Sequence, residues 1–216
     1  MATSSRTRLS SQFGPIHQLV PAANRPPGSA VTVVFATEGL SNNPPRCWPL
    51  SVTATGGRQA RQGAESGNIY DHFSATFEYP NNVKGFHMSR QMVGCAFDNS
   101  DWVMGEDGVA TVSAWSGVYK IEGKNPWEYE GEGNDMYQQE HDELFASIRN
   151  GEALNDGTFM AKSTLVAIMG RMAAYTGQTI TWEQAMQSEQ RLGPADYKWG
   201  EFEMNPVPIP GKTQFS

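Results

Sequence analysis

Apolar residues recur at helical spacing in the last part of the chain and at alternating spacing in the part before it. Over residues 134–151, Tyr137, His141, Leu144, Phe145 and Ile148 fall on one helical face. Asn134 is placed to cap the start of that helix and Gly151 to end it. A second helix is predicted over 158–176, with Thr164, Ala167, Ile168, Arg171, Met172 and Tyr175 as its inner stripe. Asp156 lies near its start, and Gly177 supplies the left-handed stop. Thr181-Trp-Glu-Gln184 has the form of a capping box opening a third helix.

Residues 46–129 read as a sheet. Over 70–79, Asp71, Phe73, Ala75, Phe77 and Tyr79 alternate with Tyr70, His72, Ser74, Thr76 and Glu78. The first set holds most of the apolar bulk and is predicted to face the core. Pro80-Asn-Asn82 is a turn, and 83–91 returns as the partner strand. Residues 102–104 and 109–115, joined by Gly105-Glu-Asp-Gly108, predict a second hairpin, to which 116–121 adds a strand. Strands followed by helices give an α+β fold: a largely antiparallel open sheet with helices packed on one face. The Pro-rich stretch 205–216 is predicted to run over the surface as an extended tail.

Residues 1–45 differ in texture. Ser, Arg and Pro dominate, so this part is expected to be an irregular, poorly ordered segment ahead of a domain over 46–216. Val31, Val33, Val34 and Phe35 are the exception: over 30–36 they form either a short strand or an adventitious apolar patch. A charged start followed by so late and interrupted an apolar run is not the pattern of a secretory signal.

The 216 residues are enough to bury a core without disulfide or metal staples. No apolar run approaches the roughly 18 residues of a membrane span, so no membrane partner is expected. A net charge of −7 disfavours nucleic acid as a partner, because a phosphate backbone needs a basic patch. Cys47 and Cys95 have no CxxC spacing; neither a zinc site nor a disulfide scaffold is supported, and a reducing, cytoplasmic setting is expected.

Three cofactor-like signals fail. Gly131-Glu-Gly133 lacks the third glycine of a dinucleotide fingerprint and opens no βαβ unit. Gly211-Lys-Thr213 resembles the end of a phosphate loop, but Pro206 stands where that loop needs glycine. His17, His72, His87 and His141 show no metal-ligand spacing. His72 and His87 remain of interest, because adjacent strands could bring them together with Arg90 and Tyr70 if the register lets them share a face; the plainer alternative is an outer face turned to water or a partner subunit. Tyr137, Glu140 and His141 make a polar cluster on the first helix, or pack through their rings with locally satisfied tips. Arg171, on an inner stripe, needs a carboxylate or carbonyl partner and is expected to form a structural ion pair rather than to act as a catalytic group. No nucleophile–base–orienter set can be assembled.

Taken together, Gly56-Gly-Arg-Gln59, Asn68-Ile-Tyr-Asp-His72, Phe77-Glu-Tyr-Pro80, Tyr137-Gln-Gln-Glu-His141, Gly170-Arg171, Thr176-Gly-Gln-Thr-Ile-Thr-Trp-Glu183 and Pro210-Gly-Lys-Thr213 carry a resemblance. They resemble the C-terminal domain of the glucose-fructose oxidoreductase and inositol dehydrogenase family (Gfo/Idh/MocA), over residues 46–216. The resemblance implies an α+β domain whose open sheet lines a substrate pocket and mediates homo-oligomers, preceded in complete members by a Rossmann domain that binds NAD(P). The family's glycine fingerprint, its Glu-Lys-Pro segment with the catalytic lysine and its Asp/His helix pair are all missing here. The resemblance therefore implies a truncated or frame-altered product, a test of which is the upstream genomic DNA. It would be a substrate-binding and oligomerisation domain of an NAD(P)-dependent sugar or polyol oxidoreductase, inactive alone, binding no cofactor by itself and having no catalytic residue of its own. Arg90, His87, His72, Tyr137 and His141 are the expected pocket wall. The same half-chain also suits a fragment of the family's NAD-dependent glycosidases, or a non-enzymatic sheet-mediated oligomer or sugar-binding module.

Overall fold

The computed structural model describes residues 29–37, 48–113, 116–133, 135–194, 196–200 and 204–216. In chain order the elements are β1 (Ser29–Thr37), β2 (Ser51–Gly57), β3 (His72–Glu78), β4 (Lys84–Gln91), β5 (Asp101–Gly105), β6 (Gly108–Ser113), β7 (Val118–Gly123) and β8 (Trp127–Glu128), then α1 (Met136–Asn150), α2 (Gly157–Thr176), β9 (Ile180–Thr181) and α3 (Trp182–Gln187). The nine strands form one sheet in the order β8-β7-β6-β5-β1-β4-β3-β2-β9. Every pairing is antiparallel except β1 with β5, so the fold is α+β with a largely antiparallel sheet. The short strand expected over 30–36 is the centre of this sheet; the rest of the expectation for 1–45 lies outside the described residues.

The β3–β4 hairpin forms where the alternation places it. Asn81 and Asn82 take left-handed φ values of 60° and 59°, a conformation asparagine tolerates, and the Tyr79 amide donates to the Val83 carbonyl at 2.9 Å to close the turn. Ala75, Phe77 and Tyr79 are buried, as their shared face predicts. Together with Val52 they pack against Val166, Met169, Met172 and Ala173 of α2, and Ile180 and Ala185 close the end of this core. A smaller cluster of Val103, Ala110 and Ile121, flanked by Trp127, serves the β5–β8 half.

Two helix faces depart from expectation. On α2 the buried residues are Val166, Met169, Gly170, Met172, Ala173, Ala174 and Thr176, whereas Thr164 and Ala167 of the expected stripe are exposed. The cause is size. Small residues let the sheet approach, and a Cβ on Gly170 would already lie 3.4 Å from the Phe77 ring and 3.9 Å from the Ala75 Cβ. On α1 only Ser147 is buried, while Tyr137, Leu144, Phe145 and Ile148 are exposed. Its periodic face is thus real in sequence but exposed in the fold. The start also shifts: Asp135 is the cap, its carboxylate accepting from the Tyr137 and Gln138 amides, and Asn134 lies outside the described residues.

The stops hold. Gly151 and Gly177 take left-handed φ values of 70° and 72°, and Thr181 with Gln184 forms the reciprocal capping box of α3. The C-terminal stretch meets the end of α2, where the Gly211 amide donates to the Thr176 carbonyl at 2.8 Å. Among the described residues no helix is long and apolar enough to cross a membrane.

Candidate functional site

Register decides which polar residues can meet. In the β3–β4 pairing, His72 stands opposite Arg90, Ser74 opposite Met88, Thr76 opposite Phe86 and Glu78 opposite Lys84. Paired residues project to the same side, so these eight line the face that α2 leaves bare. His87 is opposite Ala75, whose side chain is in the core. It therefore lies on the helix-covered side, one position out of phase with His72 and Arg90. Of the five expected pocket-wall residues, the fold brings together His72 and Arg90.

Tyr137 and His141 join neither. Both are exposed on α1, where His141 Nδ1 and the Tyr137 carbonyl, one turn earlier, are 2.8 Å apart. That is a local helical contact, so the imidazole is satisfied by its own helix rather than by a pocket. Arg171 has a neutral partner in place of the expected ion pair: its Nη2 donates to the side-chain carbonyl of Gln190 at 2.8 Å and its guanidinium lies 5.7 Å from the Tyr175 ring centroid. Burial pushes its pKa below the ordinary arginine value, partly opposed by Tyr175.

The residue that organises the site is Asp71, which the alternation assigns only to an apolar face. It is 3% exposed. Its Oδ2 accepts the backbone amides of Gln59, Ala60 and Arg61 at 2.8, 2.6 and 3.0 Å, and its Oδ1 lies 2.8 Å from His72 Nδ1. Burial alone would raise the carboxyl pKa, but the His72 hydrogen bond and the three amides outweigh it and lower the pKa to about 2. An aspartate inside an otherwise aromatic strand entry, next to a histidine, is the sequence signal for such an anchor, because a buried carboxylate must find several donors.

The loop that supplies those donors is itself held. Arg58 donates to the carbonyls of Gly63 at 2.7 Å and Gly67 at 2.5 Å, and Arg61 Nη2 donates to Gln91 Oε1 at the end of β4. Gly57 completes the floor: a Cβ there would lie 3.0 and 3.2 Å from His72 Cε1 and Nε2, so the ring rests over bare backbone. Arg90 Nη2 donates to the Ala96 carbonyl at 3.2 Å. Chemically the site offers an oriented imidazole over Gly57 on one side of β3 and, opposite it in register on β4, an exposed arginine. Among the described residues no group of three or more His, Cys, Asp or Glu side chains could hold a metal ion.

No family model and no curated protein sequence matches this chain. Solved structures are similar to it. One is UDP-N-acetylglucosamine 3-dehydrogenase GnnA from Acidithiobacillus ferrooxidans, 15% identical over 67% of this chain and 52% of that one, with a TM-score of 0.49. A second, assigned as an oxidoreductase from Thermotoga maritima, is 17% identical over 72% of this chain and 55% of that one, with a TM-score of 0.45. A third, assigned as an oxidoreductase from Klebsiella pneumoniae, is 12% identical over 82% and 57%, with a TM-score of 0.47. The chain spans a little over half the length of each of these structures.

Proposed function

We propose that the chain is the substrate-binding and oligomerisation domain of a Gfo/Idh/MocA-like, cytoplasmic, NAD(P)-dependent sugar or polyol oxidoreductase, inactive in hydride transfer on its own. The observation that carries this reading is the convergence of four of the segments that bear the resemblance, 56–59, 68–72, 176–183 and 210–213. Gly56-Gly-Arg-Gln59 and Asn68-Ile-Tyr-Asp-His72 join through Asp71 and the Gln59 amide. Tyr70 then donates its hydroxyl to the Pro208 carbonyl at 2.8 Å, and its backbone amide donates to the Tyr175 hydroxyl oxygen, 3.3 Å away. Gly177 and Gly211 approach so closely that a Cβ on Gly177 would lie 3.1 Å from the Gly211 nitrogen. Motifs far apart in sequence thus build one side of the domain.

In this reading His72 and Arg90 form the pocket wall, and hydride chemistry depends on a nicotinamide held elsewhere. Isothermal titration of the purified 216-residue chain with NADH is expected to show no micromolar binding. Micromolar binding would refute the reading.

The bare face supports the oligomerisation half of the proposal. Phe86 and Met88 are 37% and 49% exposed on it, flanked by the Lys84–Glu78 ion pair. Through the β1 register, in which Ala36 faces Lys84 on one side and Met104 on the other, the 42%-exposed Met104 extends the same patch. A second copy seated on this patch would cover it, with His72 and Arg90 at the strand ends. Sedimentation should find the wild type self-associated, and Met88→Lys shifted toward monomer. A monomeric wild type would remove this half of the reading.

A further inference from the structure

The Asp71–His72 arrangement defines more than a wall. Asp71 is ionised, so both of its oxygens can only accept hydrogen bonds. His72 Nδ1, 2.8 Å from Oδ1, must therefore be the nitrogen that carries the proton. Because Oδ2 is gripped by three amides of a single turn, the carboxylate cannot rotate away. In the neutral ring the lone pair then falls on Nε2, on a side chain that is 40% exposed. Directly across the strand pair is Arg90, whose Cβ is about 5 Å from that of His72 by the geometry of opposed residues. One of its N–H groups is spent on Ala96, and a guanidinium has five.

We propose that His72 and Arg90 form a binding site for a hydroxylated anion, a sugar acid or sugar phosphate, whose hydroxyl donates to His72 Nε2 and whose anionic group is taken by Arg90. Asp71 acts as the positioning residue that fixes the tautomer. The proposal deepens the sugar-or-polyol reading and rests on it for the carbohydrate character of the ligand. The complementarity is specific: a neutral polyol satisfies only the imidazole, and a simple carboxylate only the guanidinium. Since both groups reach solvent, the expected affinity is modest, roughly millimolar.

The test is nuclear magnetic resonance on the full chain with 15N-labelled histidine and arginine. Without ligand, ring correlations at neutral pH should show His72 protonated on Nδ1. In Asp71→Asn the three amides still require an oxygen, so the new NH2 group faces Nδ1 and the proton should move to Nε2. Titrations with gluconate and glucose 6-phosphate, which separate the two anion sources, should shift His72 and Arg90 resonances. Myo-inositol and acetate should bind at least tenfold more weakly. Arg90→Gln, at an exposed position, should erase the advantage of the anions over inositol.

An Nε2-protonated ring in the wild type, or no response to either sugar anion, would overturn the proposal. Inositol binding as tightly as gluconate would overturn it while leaving the polyol-oxidoreductase reading intact. Acetate binding as tightly would remove the hydroxyl arm and with it the proposal. NADH binding would count against the broader reading without altering the tautomer.

Discussion

Alanine at position 71 is expected to lower the stability of the domain by about 3–5 kcal/mol in chemical denaturation, a large fraction of what holds a domain of this size together. The loss is not one hydrogen bond. Three amides, from Gln59, Ala60 and Arg61, would lose their common acceptor at once, and the His72 ring would lose its anchor. Asparagine should cost less, because its amide oxygen can replace Oδ2. The charge itself gives a separate signature. With its pKa depressed from 3.8 to about 2, Asp71 contributes stability that is complete above pH ~4 and is lost as the pH falls through the folded value. That contribution is about 2 kcal/mol by linkage. Stability curves of the wild type and Asp71→Asn should therefore converge between pH 4 and pH 2; parallel curves would show that the carboxylate charge is not what stabilises the turn.

The second large effect is at Met169. Its side chain is fully buried between α2 and the sheet, and Met169→Ala is expected to cost about 2–5 kcal/mol through lost transfer energy and the cavity left behind. Ile148→Ala on α1 removes comparable apolar bulk from a residue 64% exposed and should change stability by less than about 0.5 kcal/mol. Thermal or urea denaturation of the two variants reads the difference directly. A costly Ile148→Ala would mean that the α1 face is covered in solution.

That pair of residues also marks where the sequence is readable and where it is not. Periodicity tells which residues could share a face; it does not say what the face meets. On α1 the stripe of Tyr137, Leu144, Phe145 and Ile148 is regular, yet all four are exposed. On α2 the difficulty is the reverse, since apolar and small residues surround the helix and bulk points to Ile168 and Tyr175 rather than to Gly170 and Ala173, where the backbone approaches. The strand alternation of Phe73, Ala75, Phe77 and Tyr79, the glycine stops and the capping box are legible because each is a local rule acting on adjacent residues. His72 opposite Arg90 is legible only once the Pro80–Asn82 turn sets the register, and the same register sends His87 to the other side. Asp71 was hidden by its neighbours: an acidic residue in an apolar alternation looks like noise until its donors, more than ten residues upstream in part, are in place.

The central position of β1 has a consequence for assembly order. Strands β2 to β4 and β5 to β8 are each built from neighbours along the chain, through hairpins and short connections, and can form early. β1 precedes both blocks in sequence and pairs with β4 and β5, so among the described strands it is the one that joins them. Until that join is made, each block presents a raw backbone edge able to accept a strand from any copy nearby. Among the described strands the domain is therefore a two-block structure keyed by β1, and the step at which one molecule competes with its neighbours is the seating of its own β1.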